Sequence, residues 1–232
     1  MPSAVLSGRR DAGGGLLLIT LLVEPAVASS YRAPGQYVEV TVPKGAGFFV
    51  LGGEPGDTAW ELLVRNAGDA ADALATLPVG SPIDVSRPHG AGFPLDRARG
   101  RTRAVVVVGS ALGAARPVLR KRIADGEGAR TSAFIGVRSA ADVPLASEVE
   151  EWSRHARVVL CLSQAELEHH RALLPGAART AGYVQDAVRT SLDASTLAPD
   201  ALVFAAGPSA MLAELRELAR RSRPSLEVVS NV

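Results

Sequence analysis

Several things are scarce in this chain, and each scarcity removes a class of function. It carries one cysteine, Cys161, in 232 residues. That excludes an internal disulfide and a cysteine-held cluster within the chain, and it suits a reducing cytoplasm. Aromatic residues make up 4%, too few for the stacking platforms that hold single-stranded nucleic acid. Net charge is also small: 25 basic and 24 acidic residues, interspersed, leave +1. Neither nucleic acid nor an anionic membrane has a general electrostatic claim on such a surface. No apolar run approaches the roughly twenty residues needed to span a bilayer. The run 16–23 follows Arg9-Arg10, but Asp11 intervenes and no small-x-small cleavage site follows, so it reads as a strand rather than a signal peptide. No nucleophile elbow, P-loop lysine or metal motif is present. Four histidines complete no zinc spacing. His169 and His170 are neighbours in a helical stretch and point apart, and His155 falls near a helix end.

What is there is a core-rich chain, 47% hydrophobic, of a length that suits one large domain or two small ones. Its most informative stretch is Val105-Val106-Val107-Val108-Gly109-Ser110-Ala111-Leu112-Gly113. Four consecutive valines read as a strand buried on both faces. A turn of small residues and a helical run follow. Strand, tight turn and helix N-terminus together make a phosphate site, because backbone can approach the ligand and the helix end offers unpaired N–H groups. A nucleotide is the first partner this implies.

The chain changes rhythm near residue 100. Before it, short strand-like runs at 16–23, 36–42, 48–51, 60–64 and 82–85 are separated by Gly, Pro and Asp clusters. That pattern predicts a small antiparallel barrel. A short helix is expected at 70–77, with Asp69 as N-cap. The basic stretch 97–103 reads as a solvated linker, with phosphate binding as the lesser alternative. After it, strands at 104–108, 132–137, 158–162, 201–205 and 226–229 alternate with helices at 116–124, 145–154, from Ala165 onward, and at 209–221. Alternation of this kind predicts a parallel sheet with helices on both faces. The expected organisation is a β-barrel domain over 1–99 and a Rossmann-like α/β domain over 100–232.

Five motifs in this order resemble the ferredoxin–NADP⁺ reductase superfamily. Ala33-Pro34-Gly35-Gln36-Tyr37-Val38 resembles its Pro-Gly-Gln-Tyr turn. Ser86-Arg87-Pro88-His89-Gly90-Ala91-Gly92-Phe93 resembles the segment that ends its barrel. Gly109 to Pro117 resembles a subgroup version of its pyridine-nucleotide loop. Gly182-Tyr183-Val184-Gln185 and Ala206-Gly207-Pro208-Ser209-Ala210-Met211 resemble two later loops, at the starts of helices. The subgroup indicated is the plain two-domain oxidoreductases. The electron-transfer subunits of dihydroorotate dehydrogenase are similar, apart from their cysteine-rich tail.

The resemblance implies FAD held by the barrel and NAD(P)H held by the second domain, with hydride passing between them and electrons moving on to an acceptor or redox partner protein. It implies that Gly109, Ser110, Ala111 and Gly113 line the nucleotide pyrophosphate and nicotinamide ribose. Gly207 and Pro208 would reach the nicotinamide end, with Ala206 where the family usually has cysteine. Arg116 would reach a phosphate or carboxamide, or else lie on the surface. Arg138 and Ser139 would meet the adenosine ribose. An arginine there favours NADPH if it pairs with a 2′-phosphate, and is otherwise an exposed loop residue; an acidic residue that would favour NADH is missing from this turn until Asp142. The family's Arg-x-Tyr-Ser is replaced by Gly47-Phe48-Phe49-Val50. Phe49 can still stack on the flavin, while Val50 and Leu51 offer backbone and methyl contacts. Gly68 stands at the next helix start, where Asp69 would repel a diphosphate, and Arg65 is a substitute cation. His89 lies near the expected flavin. The alternative reading is a flavin-free relative that acts as a nucleotide sensor or as a subunit of a larger assembly.

Overall fold

A computed structural model describes residues 3–43, 45–65, 67–164, 174–222 and 225–231. The first half forms β1 (Ser3–Gly13), β2 (Leu16–Val23), a one-turn helix α1 (Pro25–Ala28), β3 (Tyr37–Val42), β4 (Gly45–Val50), β5 (Ala59–Arg65), α2 (Asp69–Thr76) and β6 (Pro82–Val85). These six strands make one antiparallel sheet in the order β4-β3-β6-β1-β2-β5. Its two edges meet at a single corner. Leu51 and Leu62 form an isolated antiparallel bridge, and the Gly52 N–H donates to the Glu61 carbonyl at 2.7 Å. The sheet thus rolls around a core of its own, which includes Leu6, Ile19, Leu21, Val38, Val40, Trp60, Leu62 and Leu74. Strand β3 shows the half-buried alternation expected of it, with Val38, Val40 and Val42 inward.

The second half supplies β7 (Arg103–Val108), α3 (Leu112–Ala124), β8 (Thr131–Val137), α4 (Ala146–Ser153), β9 (Arg157–Leu162), β10 (Ala178–Ala181), α5 (Val184–Asp193), β11 (Leu202–Ala206), α6 (Ser209–Ser222) and β12 (Glu227–Ser230). All pairings are parallel, in the order β10-β9-β8-β7-β11-β12. The chain winds one way from β7 through β10, then returns to place β11 on the other side of β7. The strand order therefore reverses between β7 and β11, where open α/β sheets bind ligands beyond their carboxyl ends.

One core runs across both halves. Leu16, Leu18 and Leu63 face away from the first sheet's interior and pack with Leu112, Ala115 and Val118 of the second half. Strands β2 and β5 are thus covered on both faces, which is why 16–23 is an almost unbroken apolar run. Phe93 and Phe204 add a tilted ring contact at 5.0 Å across the same boundary.

The sequence reading needs correction at several points. Strand β1 is missed because Gly8, Arg9, Arg10 and Asp11 hide its alternation, and two register shifts break its pairing with β2. The four-residue edge strand β10 is missed as well. The N-cap of α2 is Gly68 and makes no side-chain cap, so Asp69 lies inside the first turn. Helix α3 starts four residues earlier than expected, with Pro117 inside it rather than near its start. The basic stretch is no solvated linker. Arg97 and Arg101 pair with Glu227, and Arg103 is fully buried, bonding the Ala98 carbonyl and, at 2.6 Å, Glu127. The helix expected from Ala165, with His169 and His170, lies outside the described residues.

Candidate functional site

The carboxyl ends of β7, β8, β9 and β11 open into two adjoining hollows. The larger, about 570 Å³, is lined by Val108, Gly109, Gly136, Arg138, Asp142, Cys161, Tyr183, Pro208 and Met211, among others. We call it the strand-end hollow. The smaller, about 330 Å³, is the seam hollow. It lies between the two sheets and is lined by Phe48, Phe49, Val50, Leu63, Arg65, Ala67, Ala71, Ser110, Ala111, Ala206, Gly207 and Asn231. Arg65 borders both.

Each strand end is built for this position. Gly109 leaves β7 at φ +58°, a left-handed conformation that L side chains rarely adopt. The turn it opens leads within three residues to the start of α3. A Cβ on Gly109 would lie 3.6 Å from the Arg65 guanidinium, so backbone and cation approach closely. Helices α5 and α6 begin beside the same hollow, at Tyr183-Val184 and at Pro208-Ser209. Their first N–H groups and positive dipole ends suit a diphosphate. Tyr183 is 62% exposed at the rim, a ring free to stack. The Cys161 thiol in the wall is buried, and burial pushes its pKa up to about 12, so it offers no thiolate.

The sequence-derived residues divide. Phe49, Val50, Arg65, Ser110, Ala111 and Gly207 come together around the seam hollow. Gly109, Arg138 and Pro208 line the strand-end hollow. Leu51, Gly68, Gly113 and Ser139 border neither. Leu51 is fully buried in the first core. Gly68 is exposed, with nothing within 4 Å of where a Cβ would lie. Gly113 is a packing residue: a Cβ on Gly52 would lie 3.4 Å from its Cα, and its own would lie 3.5 Å from Leu63.

The Ser139 hydroxyl is committed. It donates to Asp142 at 2.8 Å, and the Ser139 N–H donates to the same carboxylate, a reciprocal cap of one short turn. Arg138 pairs with Asp142 at 3.2 Å. Burial alone would push the Asp142 carboxyl up, but the Ser139 hydrogen bond and the Arg138 charge outweigh it and hold it below the usual carboxylate value. An ionised carboxylate therefore stands beside Arg138 on the hollow's wall, nearer the strand end than its place in the turn suggests. Its pairing has one local sign in the sequence, the Ser-x-x-Asp capping spacing.

Arg116 is neither a ligand contact nor a surface residue. It is buried and forks onto Glu148 at 2.9 and 3.0 Å, with a further bond to Glu61 at 2.9 Å and one to the Gly52 carbonyl. Its partners lie on both halves, so it clamps α3 and α4 to the first sheet. Burial alone would lower its pKa, but the bonds and charges of Glu148 and Glu61 raise it overall. His89 stacks on Tyr37 at 5.6 Å, and Phe48 meets that pair edge-on.

Among the described residues no group of acidic, histidine and cysteine side chains could hold a metal ion, and no helix is long and apolar enough to cross a membrane.

No family model matches the chain. It is 28% identical over 218 residues to the electron transfer subunit of dihydroorotate dehydrogenase B (NAD(+)) of Shouchella clausii, spanning 89% of this chain and 75% of that protein. Among solved structures, the cytochrome P450 reductase GcoB of Amycolatopsis superposes with a TM-score of 0.77 at 22% identity, covering 98% of this chain and 68% of that one. A ferredoxin NADP⁺ reductase of Neisseria gonorrhoeae with bound FAD and NADP gives 0.72 at 13% identity, over 99% and 98%. The fold is that of the ferredoxin–NADP⁺ reductase-like proteins.

Proposed function

We propose, from this shared fold and the paired hollows, that the chain is a flavin-dependent NAD(P)H oxidoreductase that passes electrons to a further acceptor or redox partner. The observation that carries the reading is the adjacency of the two hollows at the strand-order reversal, with Ala206-Gly207 on one wall and Phe49-Val50 on the other. A nicotinamide nucleotide would lie in the strand-end hollow, its diphosphate at the starts of α5 and α6 and near Arg65. An isoalloxazine fits the seam hollow, whose walls are mostly apolar and of a size that small-molecule sites have. When bound, the flavin supplies the hydride-accepting chemistry. The chain's own residues orient the two rings and exclude water.

Asp142 bears on the choice of nucleotide. A fixed carboxylate accepts hydrogen bonds from ribose hydroxyls and repels a 2′-phosphate. The strand end is therefore arranged for NADH, opposite to the preference that Arg138 suggests in the sequence. One experiment tests the whole reading: purified protein is supplied with FAD and titrated anaerobically with NADH. Bleaching of the visible flavin absorbance is expected, and full retention of colour with excess NADH would end the reading. The second reading, a flavin-free nucleotide sensor, is favoured by Ala206, which offers no thiol beside the rings. Calorimetric NADH binding without any flavin reduction would select it.

A further inference from the structure

The seam hollow is built for a ring and not for a tail. Its volume, about 330 Å³, sits at the small end of the roughly 300–1,000 Å³ range of small-molecule sites. A planar tricycle fills such a hollow, and the tail of a dinucleotide would have to lie outside it. Two aromatic rings, Phe49 and Phe48, stand among its lining residues. The Phe49 ring lies against Gly47 and Ala70, so closely that a Cβ on Gly47 would meet it at 3.0 Å and Ala70 at 3.1 Å. Phe48 is 65% exposed and forms an open three-ring surface with Tyr37 and His89. Rings of this kind recognise a flat aromatic guest by stacking, whatever its substituents.

The tail of such a guest finds the opposite environment. Position 47 supplies no cation, and the Phe49 ring and Ala70 crowd the place where a side chain would start. The first turn of α2, beside the hollow, carries Asp69 and Asp72, which cancel the attraction its N-terminus would have for phosphate. Among the described residues lining the seam hollow, Arg65 is the one cation, and its guanidinium lies beside Gly109, where the nucleotide's diphosphate is expected.

We propose that the seam hollow takes the isoalloxazine by its ring alone, so that the electron acceptor is free flavin of any tail, arriving oxidised and leaving reduced. The inference rests on the nucleotide-and-flavin reading above. The step balances without a further reactant. Hydride leaves C4 of NADH with two electrons and bonds to flavin N5, a proton from water adds at N1, and NAD⁺ and reduced flavin depart.

Steady-state NADH oxidation by the full chain with riboflavin, FMN and FAD as acceptors decides the matter. The three KM values should agree within about threefold, because no energy comes from the tail. Phe48→Ala should raise all three by about fivefold while the KM for NADH stays put, and Phe48→Tyr should restore them. Since Phe48 is exposed, loss of its ring leaves the fold intact. FAD that stays bound through gel filtration, or a KM for FAD at least about tenfold below that for riboflavin, overturns the proposal while leaving the reductase reading in place. Intact NADH binding with no turnover of any flavin overturns both.

Discussion

Asp142 shows how much one side chain decides at this site. It holds the Ser139 N–H and hydroxyl and the Arg138 guanidinium, and it presents negative charge to the strand-end hollow. NADH should be used in preference to NADPH. Asp142→Asn should cut the NADH-to-NADPH ratio of kcat/KM by about tenfold, mostly by improving NADPH, as expected for removing one like-charge repulsion at a half-screened site. A ratio unmoved by the substitution would show that the carboxylate does not meet the ribose. The sequence places Arg138 and Ser139 just after the strand that became β8, because the βα rhythm locates its end. What they bond cannot be read there, since the Ser139–Asp142 cap closes over three residues and competes silently with any ligand. Arg116 is hidden for another reason. Its partners Glu61 and Glu148 stand 55 positions before it and 32 after it, and no local pattern announces a buried fork between distant elements.

At the scale of elements, the joints are ionic as well as apolar. Arg116 fastens α3 to β5 and α4 with a two-pronged bond to Glu148 and a third bond to Glu61. Removing the guanidinium takes the buried cation from two half-buried carboxylates, although Arg120 stays 3.0 Å from Glu148 and 3.9 Å from Glu61, and Arg10 stays 3.6 Å from Glu148. Arg116→Met should therefore cost about 2 kcal/mol, below the roughly 3–5 kcal/mol of an uncompensated buried charge because both carboxylates keep water and a second cation. Urea unfolding with an unchanged slope would measure it. A second joint ties β7 to the turn after α3. Glu127 accepts from Arg103 and Arg122, and those bonds pull its carboxyl down from 4.5 to about 2. A carboxyl depressed on folding stabilises the protein above its unfolded pKa and loses that contribution as pH falls through its folded one. Stability should decline between about pH 4.5 and pH 2, and Glu127→Gln should be less stable at neutral pH with a shallower acid limb. Thermal melts across that range would check it. The elements themselves are mostly legible. Strands β2 and β6 match their expected bounds, and β7 shows itself through four valines. The exceptions have causes: β1 is broken by Gly8 and its bulges, and Pro117 conceals the first turn of α3 by resembling a residue at a helix start.

For the molecule as a whole, the sequence suggests a division at residue 99, and the packing qualifies it. Leu16, Leu18, Leu63 and Phe93 share one core with Leu112, Val118 and Phe204. Neither half can shed the other without exposing that surface to water. Calorimetry should accordingly show one unfolding transition whose calorimetric and van't Hoff enthalpies agree. Two separated peaks would show instead that 1–99 and 100–232 melt alone. The order of barrel-like roll and wound sheet is visible in the change of rhythm near residue 100, whereas the continuous core is not, because apolar residues on a strand's second face look the same as those on its first.

The rolled sheet also has an unequal grip on its edge. Strand β4 is laced to β3 along its full length, while toward β5 the chain is joined just past the strand's end, by the Leu51–Leu62 bridge and the Gly52–Glu61 hydrogen bond. Since Phe48, Phe49 and Val50 stand on that strand and α2 packs against it at Gly47 and Ala70, the two jambs of the seam hollow come from different sheets. A substitution in the roll therefore reshapes one jamb and leaves the parallel bed, on which the nucleotide would rest, as it was.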